Sequence, residues 1–199
     1  MTTTIIWAAR ALLLISTWSG VDAEPIHCGD MLHVKVQLIN EAGVSPHDLT
    51  KAEREAAWLL LSLCVQLTWS SDGRGQGLEI HILPVPLVTG IDTSCLGVAL
   101  PTLGRGNHAA VLMSHVQEVV AKHRDLIDTK TLLGHVLAHE LGHLLLHTKT
   151  HSESGIMQAN FGEFQLRMAY QRRLIFTESD RRHLLRNRNI AEAQTSSKN

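Results

Sequence analysis

The sequence predicts an α+β domain in which a small twisted mixed sheet packs on helices. Three observations predict it. Residues 31–40 alternate apolar and polar side chains, with Leu32, Val34, Val36 and Leu38 set against His33, Lys35 and Gln37, as a half-buried strand does. Further strand-like runs come after a single helical stretch instead of alternating with helices one for one. The stretch from Thr129 to about His147 is apolar at most positions and too long for a strand, so it reads as a buried helix.

Taken in order, the first strand ends at Asn40, and Ser45-Pro46-His47-Asp48 turns the chain. Thr50 with Glu53 has the spacing of a capping box, for a helix running to about Trp69 with Ala56, Leu59, Leu60, Leu63, Cys64 and Leu67 at helical spacing. Ser70 to Gly77 is a glycine-rich loop; it precedes a strand and lacks a Lys-Ser/Thr pair, which excludes a phosphate cradle. Leu78 to Leu83 is the next strand, stopped by Pro84 and Pro86. Gly97 to Leu100 and Ala109 to Met113 read as two more, joined by a bend over Pro101 to His108 that contains Gly104 and Gly106. A short helix after Ser114 runs to about Lys122, and the long helix follows. Residues 152–162 are irregular. Two helices, Glu163 to Leu174 and Thr177 to Asn187, precede a polar tail, Ala191 to Asn199, expected to be disordered.

A chain of 199 residues suffices for one ordinary domain. Ile5 to Trp18 is apolar except for Arg10, and Val21-Asp22-Ala23 places small residues where a signal peptidase reads, so residues 1–23 are expected to be a signal peptide cleaved before Glu24. That leaves a domain over 24–190, secreted or periplasmic, with no stable membrane insertion, because the apolar stretch falls short of the ~20 residues a spanning helix needs. A net charge of −1 supplies no global attraction to nucleic acid or anionic lipid. Arg167, Arg172, Arg173, Arg181, Arg182, Arg186 and Arg188 lack interleaved aromatics and read as a solvated face, so no nucleic-acid partner is expected. Of three cysteines, one pair can bridge in an oxidising compartment. Cys64, among Leu61, Leu63 and Val65, reads as a buried small hydrophobe. Cys95 within Asp92 to Gly97 has no base that its spacing would fix, which argues against a cysteine nucleophile.

The chemistry concentrates in His139-Glu140-Leu141-Gly142-His143. Histidines four apart stand about one turn (~6 Å) apart on one helix face, so both imidazoles reach a single metal ion. The glutamate after the first histidine projects beside the metal, where it can take a proton from metal-bound water during attack on a carbonyl. Val136-Leu137-Ala138 before the motif and Leu144-Leu145-Leu146 after it bury the helix, and unpaired His and Glu there would cost several kcal/mol. The pattern therefore points to a Zn²⁺ site with Glu140 as general base.

A hydrolytic zinc site takes three protein ligands and leaves one position open. Three residues are candidates for the third. His147 would stand about 12 Å from His139 along the same helix, beyond a shared ion, and reads as a helix-end histidine bonding the last carbonyls. His151 reaches back only if the helix stops near His147 or Thr148, which the β-branched Thr148 and Thr150 favour. Glu163, twenty residues after His143, reads otherwise as an exposed first-turn glutamate.

The motif, the histidine that follows it and the downstream Gly155-Ile156-Met157 resemble the metzincin clan of zinc peptidases, in which a third histidine ends the active-site helix and a methionine turn underlies the metal. Gly97 to Pro101 with Gly104, Gly106 and His108 to Met113 is similar to the edge strand and following loop of matrixin-like members. The resemblance covers about residues 31–160. It implies a zincin-like fold, His139, His143 and His151 as ligands, Met157 beneath the metal, and a peptide or protein substrate lying as an added strand along Gly97 to Leu100. The chain departs from the clan where Leu146 replaces the helix-breaking glycine and Lys149 the third histidine, so that His151 comes two residues late. If Glu163 is the ligand instead, the site resembles the thermolysin-like gluzincins, whose ligand spacing it matches. Pro25-Ile26-His27-Cys28-Gly29-Asp30 resembles the matrixin cysteine switch, but almost no pro-segment lies between Glu24 and the first strand, and a disulfide from Cys28 to Cys95 is expected in its place. The rival reading from another class is a zinc-binding module without turnover, which would have no need of Glu140.

Overall fold

A computed structural model describes residues 28, 30–70, 77–87, 92, 94–100 and 108–196. The expected signal peptide, most of the glycine-rich loop, the bend at 101–107 and the last residues of the tail lie outside these. Five strands, β1 (Leu32–Asn40), β2 (Val65–Ser70), β3 (Leu78–Leu83), β4 (Gly97–Leu100) and β5 (His108–Leu112), form one sheet in the order β2-β1-β3-β5-β4. β1 pairs in parallel with β2 and β3, and β3 with β5; β4 runs antiparallel to β5 and forms the edge. Five helices lie among the described residues: α1 (Pro46–Leu61), α2 (Met113–Lys122), α3 (Thr129–Leu146), α4 (Glu163–Tyr170) and α5 (Glu178–Ser196). The architecture is α+β with a mixed sheet packed on helices. Among the described residues, no helix is long and apolar enough to cross a membrane.

The first helix departs from expectation at both ends. It starts four residues before Thr50, with Ser45 as the cap accepting from Asp48 N at 3.1 Å and Pro46 at the first helical position. It stops at Leu61, not Trp69. Ser62 Oγ donates to the Leu59 carbonyl at 2.7 Å, and Cys64 turns left-handed with φ 59°. The chain then emerges as β2, where the apolar spacing predicts helix. Leu63, Cys64 and Leu67 continue the helical apolar spacing of α1, so periodicity hides the break, and tertiary pairing with β1 overrides it.

Cys64 is disulfide-bonded to Cys28, with Cα atoms 5.5 Å apart. This corrects two expectations: Cys64 is not a free buried thiol, and Cys28 does not pair with Cys95, which is free. A cysteine locked in a disulfide cannot serve as a switch thiolate either. The bridge ties the strand-β1 end of the chain to the α1–β2 corner, and Leu32 N donating to Cys64 O at 2.9 Å starts the pairing there.

Helix α3 is the centre of the molecule. Every residue from Leu132 to Leu146 is buried, and the helix touches α1, α2, α4, α5 and strands β3, β4 and β5. Gly134 is where α1 comes closest: a β-carbon there would stand 2.6 Å from Glu55 Cβ and 2.9 Å from the Ala52 carbonyl. Asp128 caps its start, accepting from Thr131 N at 2.8 Å. At the other end His147 takes the left-handed conformation, φ 49°, while Thr148 N bonds the His143 carbonyl at 3.2 Å and His147 N that of Leu144 at 3.4 Å. This is a Schellman turn with histidine where glycine is usual. Helix α4 ends at Tyr170, earlier than Leu174, and α5 continues to Ser196, past Asn187 and into the expected tail. Arg172, read as part of a solvated face, pairs with Glu55 at 3.1 Å and stacks over Trp58 at 4.2 Å from the ring centroid.

Candidate metal centre

The left-handed turn at His147 sends the chain off the helix axis, and the next residues fold back across the end of α3. His139, His143 and His151 meet there, with their ligand atoms all within 4.8 Å of one another, a group that could hold a metal ion. His147 is exposed at the helix end, and Glu163 is exposed on the first turn of α4; neither belongs to this group.

The rings of α3 are oriented by backbone. His139 Nδ1 donates to the Ile156 carbonyl at 2.7 Å, and His143 Nδ1 to the Thr148 carbonyl at 2.9 Å. A carbonyl only accepts, so each Nδ1 carries the proton and each neutral ring presents a lone pair at Nε2. The two Nε2 atoms face each other at 3.0 Å. Burial holds the His139 pKa down to about 3 against the opposing pull of its Ile156 bond, and neighbouring His143 and His151 push the same way. Burial also lowers that of His143, with the Thr148 bond opposing. Neither ring is thus inclined to protonate and bridge the gap. Two lone pairs 3.0 Å apart repel unless a cation lies between them, and this is the observation by which the residues fit a metal ion. His151 completes the group from outside, stacked on His139 with ring centroids 5.4 Å apart and edge-on to His143 at 5.0 Å.

Glu140 lies beside this group on the next face of α3, only 3 % exposed. Burial pushes its carboxyl pKa up to about 8, and Oε2 has no hydrogen-bond partner among the described residues. A buried carboxyl offsets its desolvation by holding its proton, and the oxygen left without a partner is open to an incoming group. Strand β4 runs directly over it. A β-carbon on Gly97 would stand 2.5 Å from Glu140 Oε1 and 2.8 Å from the Ala110 carbonyl, so only glycine lets the edge strand approach the carboxylate this closely. His115, buried on α2, donates from Nδ1 to the Cys95 carbonyl at 2.8 Å and holds the start of β4, while the Cys95 thiol donates to Gly97 O at 3.1 Å.

The three histidines and Glu140 open into a cleft of about 440 Å³ between β4 and residues 158–161. Its walls are mainly apolar, with Leu96, Val98, Val136 and Phe161 among them, and Phe161 stands edge-on to His139 at 5.8 Å. Met157 is buried and packs against α3 at Gly142, between the two histidines of the helix.

The sequence carries no signal for the residues that orient the α3 imidazoles. Thr148 and Ile156 act through main-chain carbonyls, which leave no side-chain signature. Asp180, buried in the first turn of α5, was also missed, although Thr177-x-x-Asp180 has capping spacing that could have marked it.

No family model matches the chain, and no curated protein sequence matches it. Among solved structures it is similar to metalloproteinase-II from Bacteroides fragilis, at 15% identity and a TM-score of 0.46, over 81% of this chain and 55% of that one. The chain therefore spans about half the length of that structure.

Proposed function

We propose that this chain is an exported zinc-dependent endopeptidase in which His139, His143 and His151 hold the metal and Glu140 is the general base. The observation that carries the reading is the facing pair of Nε2 lone pairs at 3.0 Å beside a buried carboxyl with a free oxygen. Three neutral imidazoles are a donor set suited to zinc, and three protein ligands leave a position for substrate. Zinc bound there supplies Lewis acidity, lowering the pKa of water and polarising the scissile carbonyl.

The chain's own groups do the rest. Ile156 and Thr148 hold the imidazoles in the tautomer that keeps Nε2 free. Glu140 takes the proton of the attacking water at its carboxylate and passes it to the leaving amine nitrogen. Glu140, whose carboxyl burial alone holds high, would lose its proton more readily beside a cation held by the three histidines and so act as a base at neutral pH. β4 is the edge of the sheet, and an extended peptide adds to it as a further strand, passing Gly97 and the Glu140 carboxylate. Apolar side chains of the cleft walls exclude water around the scissile bond.

A zinc-stabilised binding module without turnover is the second reading. It leaves unexplained why a carboxyl is buried beside the histidines with one oxygen unpartnered among the described residues. Glu140→Gln separates the two: the variant is expected to retain one zinc per chain and to lose hydrolysis of a quenched peptide library by a factor of at least 10². Loss of zinc in this variant, or undiminished turnover, would overturn the assignment of roles.

A further inference from the structure

Of the three histidines, His151 has the weakest support of its own. It is exposed, lies in no helix or strand, and its ring contacts are with the other two histidines. What is held firmly is its neighbour. Ser152 N donates to the Met157 carbonyl at 2.8 Å, and Ser152 Oγ donates to Asp180 Oδ1 at 3.2 Å. Asp180 is itself only 6 % exposed, and its other oxygen accepts from Thr177 N at 2.8 Å and Thr177 Oγ1 at 2.7 Å. A buried carboxylate with three donors is a fixed point in the structure. Two further links tie the same stretch to the C-terminal segment: Ile156 N donates to the Ile175 carbonyl at 2.9 Å, and Asn187 Nδ2 to the Leu146 carbonyl at 3.0 Å.

We infer that Asp180 is a positioning residue for the third metal ligand, acting through Ser152, so that the start of α5 sets the geometry of the metal centre from a distance of 29 residues in sequence. The inference rests on His151 holding the metal together with His139 and His143. The reasoning is entropic. A ligand on an irregular segment must be ordered when the ion binds, and a segment already pinned by Ser152 loses less freedom at that moment. The pin touches neither the sheet nor α3 directly, so its removal acts first on the one ligand that α3 does not carry.

The test compares zinc affinity, measured by chelator competition, in the full-length protein and in Ser152→Ala, Ser152→Thr and Asp180→Asn. Ser152→Ala is expected to raise the zinc dissociation constant about ten-fold or more, within the range seen when groups behind a ligand are removed, with a modest fall in the melting temperature of the metal-free chain, because Asp180 loses one of its three donors and keeps the two from Thr177. Ser152→Thr, which restores the hydroxyl, is expected to recover most of the affinity. Substituting Co²⁺ gives a second readout: its visible absorption should weaken in Ser152→Ala as the third imidazole leaves tetrahedral coordination. Asp180→Asn should follow Ser152→Ala. Should Asp180→Asn fail to fold, the serine pair decides alone. Wild-type affinity and spectrum in Ser152→Ala would overturn the inference and leave the metal centre standing. A wild-type chain that binds no zinc would overturn both.

Discussion

The sulfur of Met157 lies 2.6 Å from where a β-carbon on Gly142 would stand, and the Phe176 ring edge lies 2.7 Å from the same point. The glycine inside the histidine motif is therefore a packing requirement: it lets the returning loop lie against α3 between the two histidines. Gly142→Ala sets two effects against each other. Alanine favours helix by about 1 kcal/mol over glycine, while overpacking a filled core costs about 1–3 kcal/mol. Because Phe176 is buried and cannot swing away, overpacking is expected to win, with a net loss of up to about 2 kcal/mol in urea unfolding. In a Met157→Ala background the same substitution should cost measurably less, since space then exists for the methyl group. Equal costs in the two backgrounds would mean that the two residues are not coupled.

The three candidate third ligands make different predictions for metal content. His151→Ala is expected to lose most of the zinc affinity, whereas Glu163→Ala and His147→Ala retain it, because Glu163 and His147 stand outside the group of converging nitrogens. Zinc at about 100 times its dissociation constant should also raise the unfolding free energy of the wild type by about 2.7 kcal/mol, and that of His151→Ala by much less. Inductively coupled plasma analysis after gel filtration and thermal melts with and without chelator check both. Zinc retained in His151→Ala but lost in Glu163→Ala would require a different ligand set.

Much of this arrangement is legible in the sequence, and the parts that are not share a physical cause. The i, i+4 spacing of His139 and His143 and the apolar run around them are local properties of one helix, so the sequence carries them directly. His151 could be placed because leaving the helix is also local, although the expected cause, two β-branched threonines, is only half of it: His147 itself adopts the left-handed turn. β2 is hidden because Leu67 satisfies the helical period of Leu60, Leu63 and Cys64 as well as the strand face of Val65 and Trp69, and only pairing with β1 distinguishes them. The Cys28–Cys64 bridge depends on the turn that ends α1, and misplacing that end by eight residues made Cys64 look like a helix-core residue. Gly97 beside Glu140, and Asp180 beside Ser152, join residues 43 and 28 positions apart, which no periodicity encodes.

The disulfide should matter to stability and little to the site. It closes a loop with a sequence separation of 36, for which the chain-entropy argument gives about 4 kcal/mol. Cys28→Ser with Cys64→Ser is expected to lower the unfolding free energy by about 2–4 kcal/mol while leaving zinc affinity unchanged, since the bridge sits at the α1–β2 corner, away from the histidines. Modification of Cys95 alone by a thiol reagent under non-reducing conditions checks the pairing. Two or more reactive thiols in the folded chain would refute it.

The last prediction concerns acid. His135, one turn before His139 on α3, is 0 % exposed; its Nδ1 donates to the Thr131 carbonyl at 2.9 Å, and Nε2 has no partner among the described residues. Burial lowers its pKa from 6.5 to about 4, the Thr131 bond opposes the shift, and the Arg172 charge adds to it. The folded chain thus resists a proton that the unfolded chain accepts. Stability from this group is complete above pH 6.5, declines as pH falls from 6.5 toward 4, and levels off below that, for a total of about 3 kcal/mol. His139 titrates at still lower pH, and metal release would add its own acid dependence, so the comparison is made in chelator between wild type and His135→Gln, both of which keep His139. At pH 7 the variant should be the less stable of the two, having lost a packed ring. By pH 5 the gap should have narrowed by about 2 kcal/mol, because only the wild type carries the penalty of excluding a proton at position 135. Denaturant unfolding curves at pH 7, 6 and 5 measure it, and a gap that stays constant across the three would show that His135 does not hold the depressed pKa on which the prediction depends.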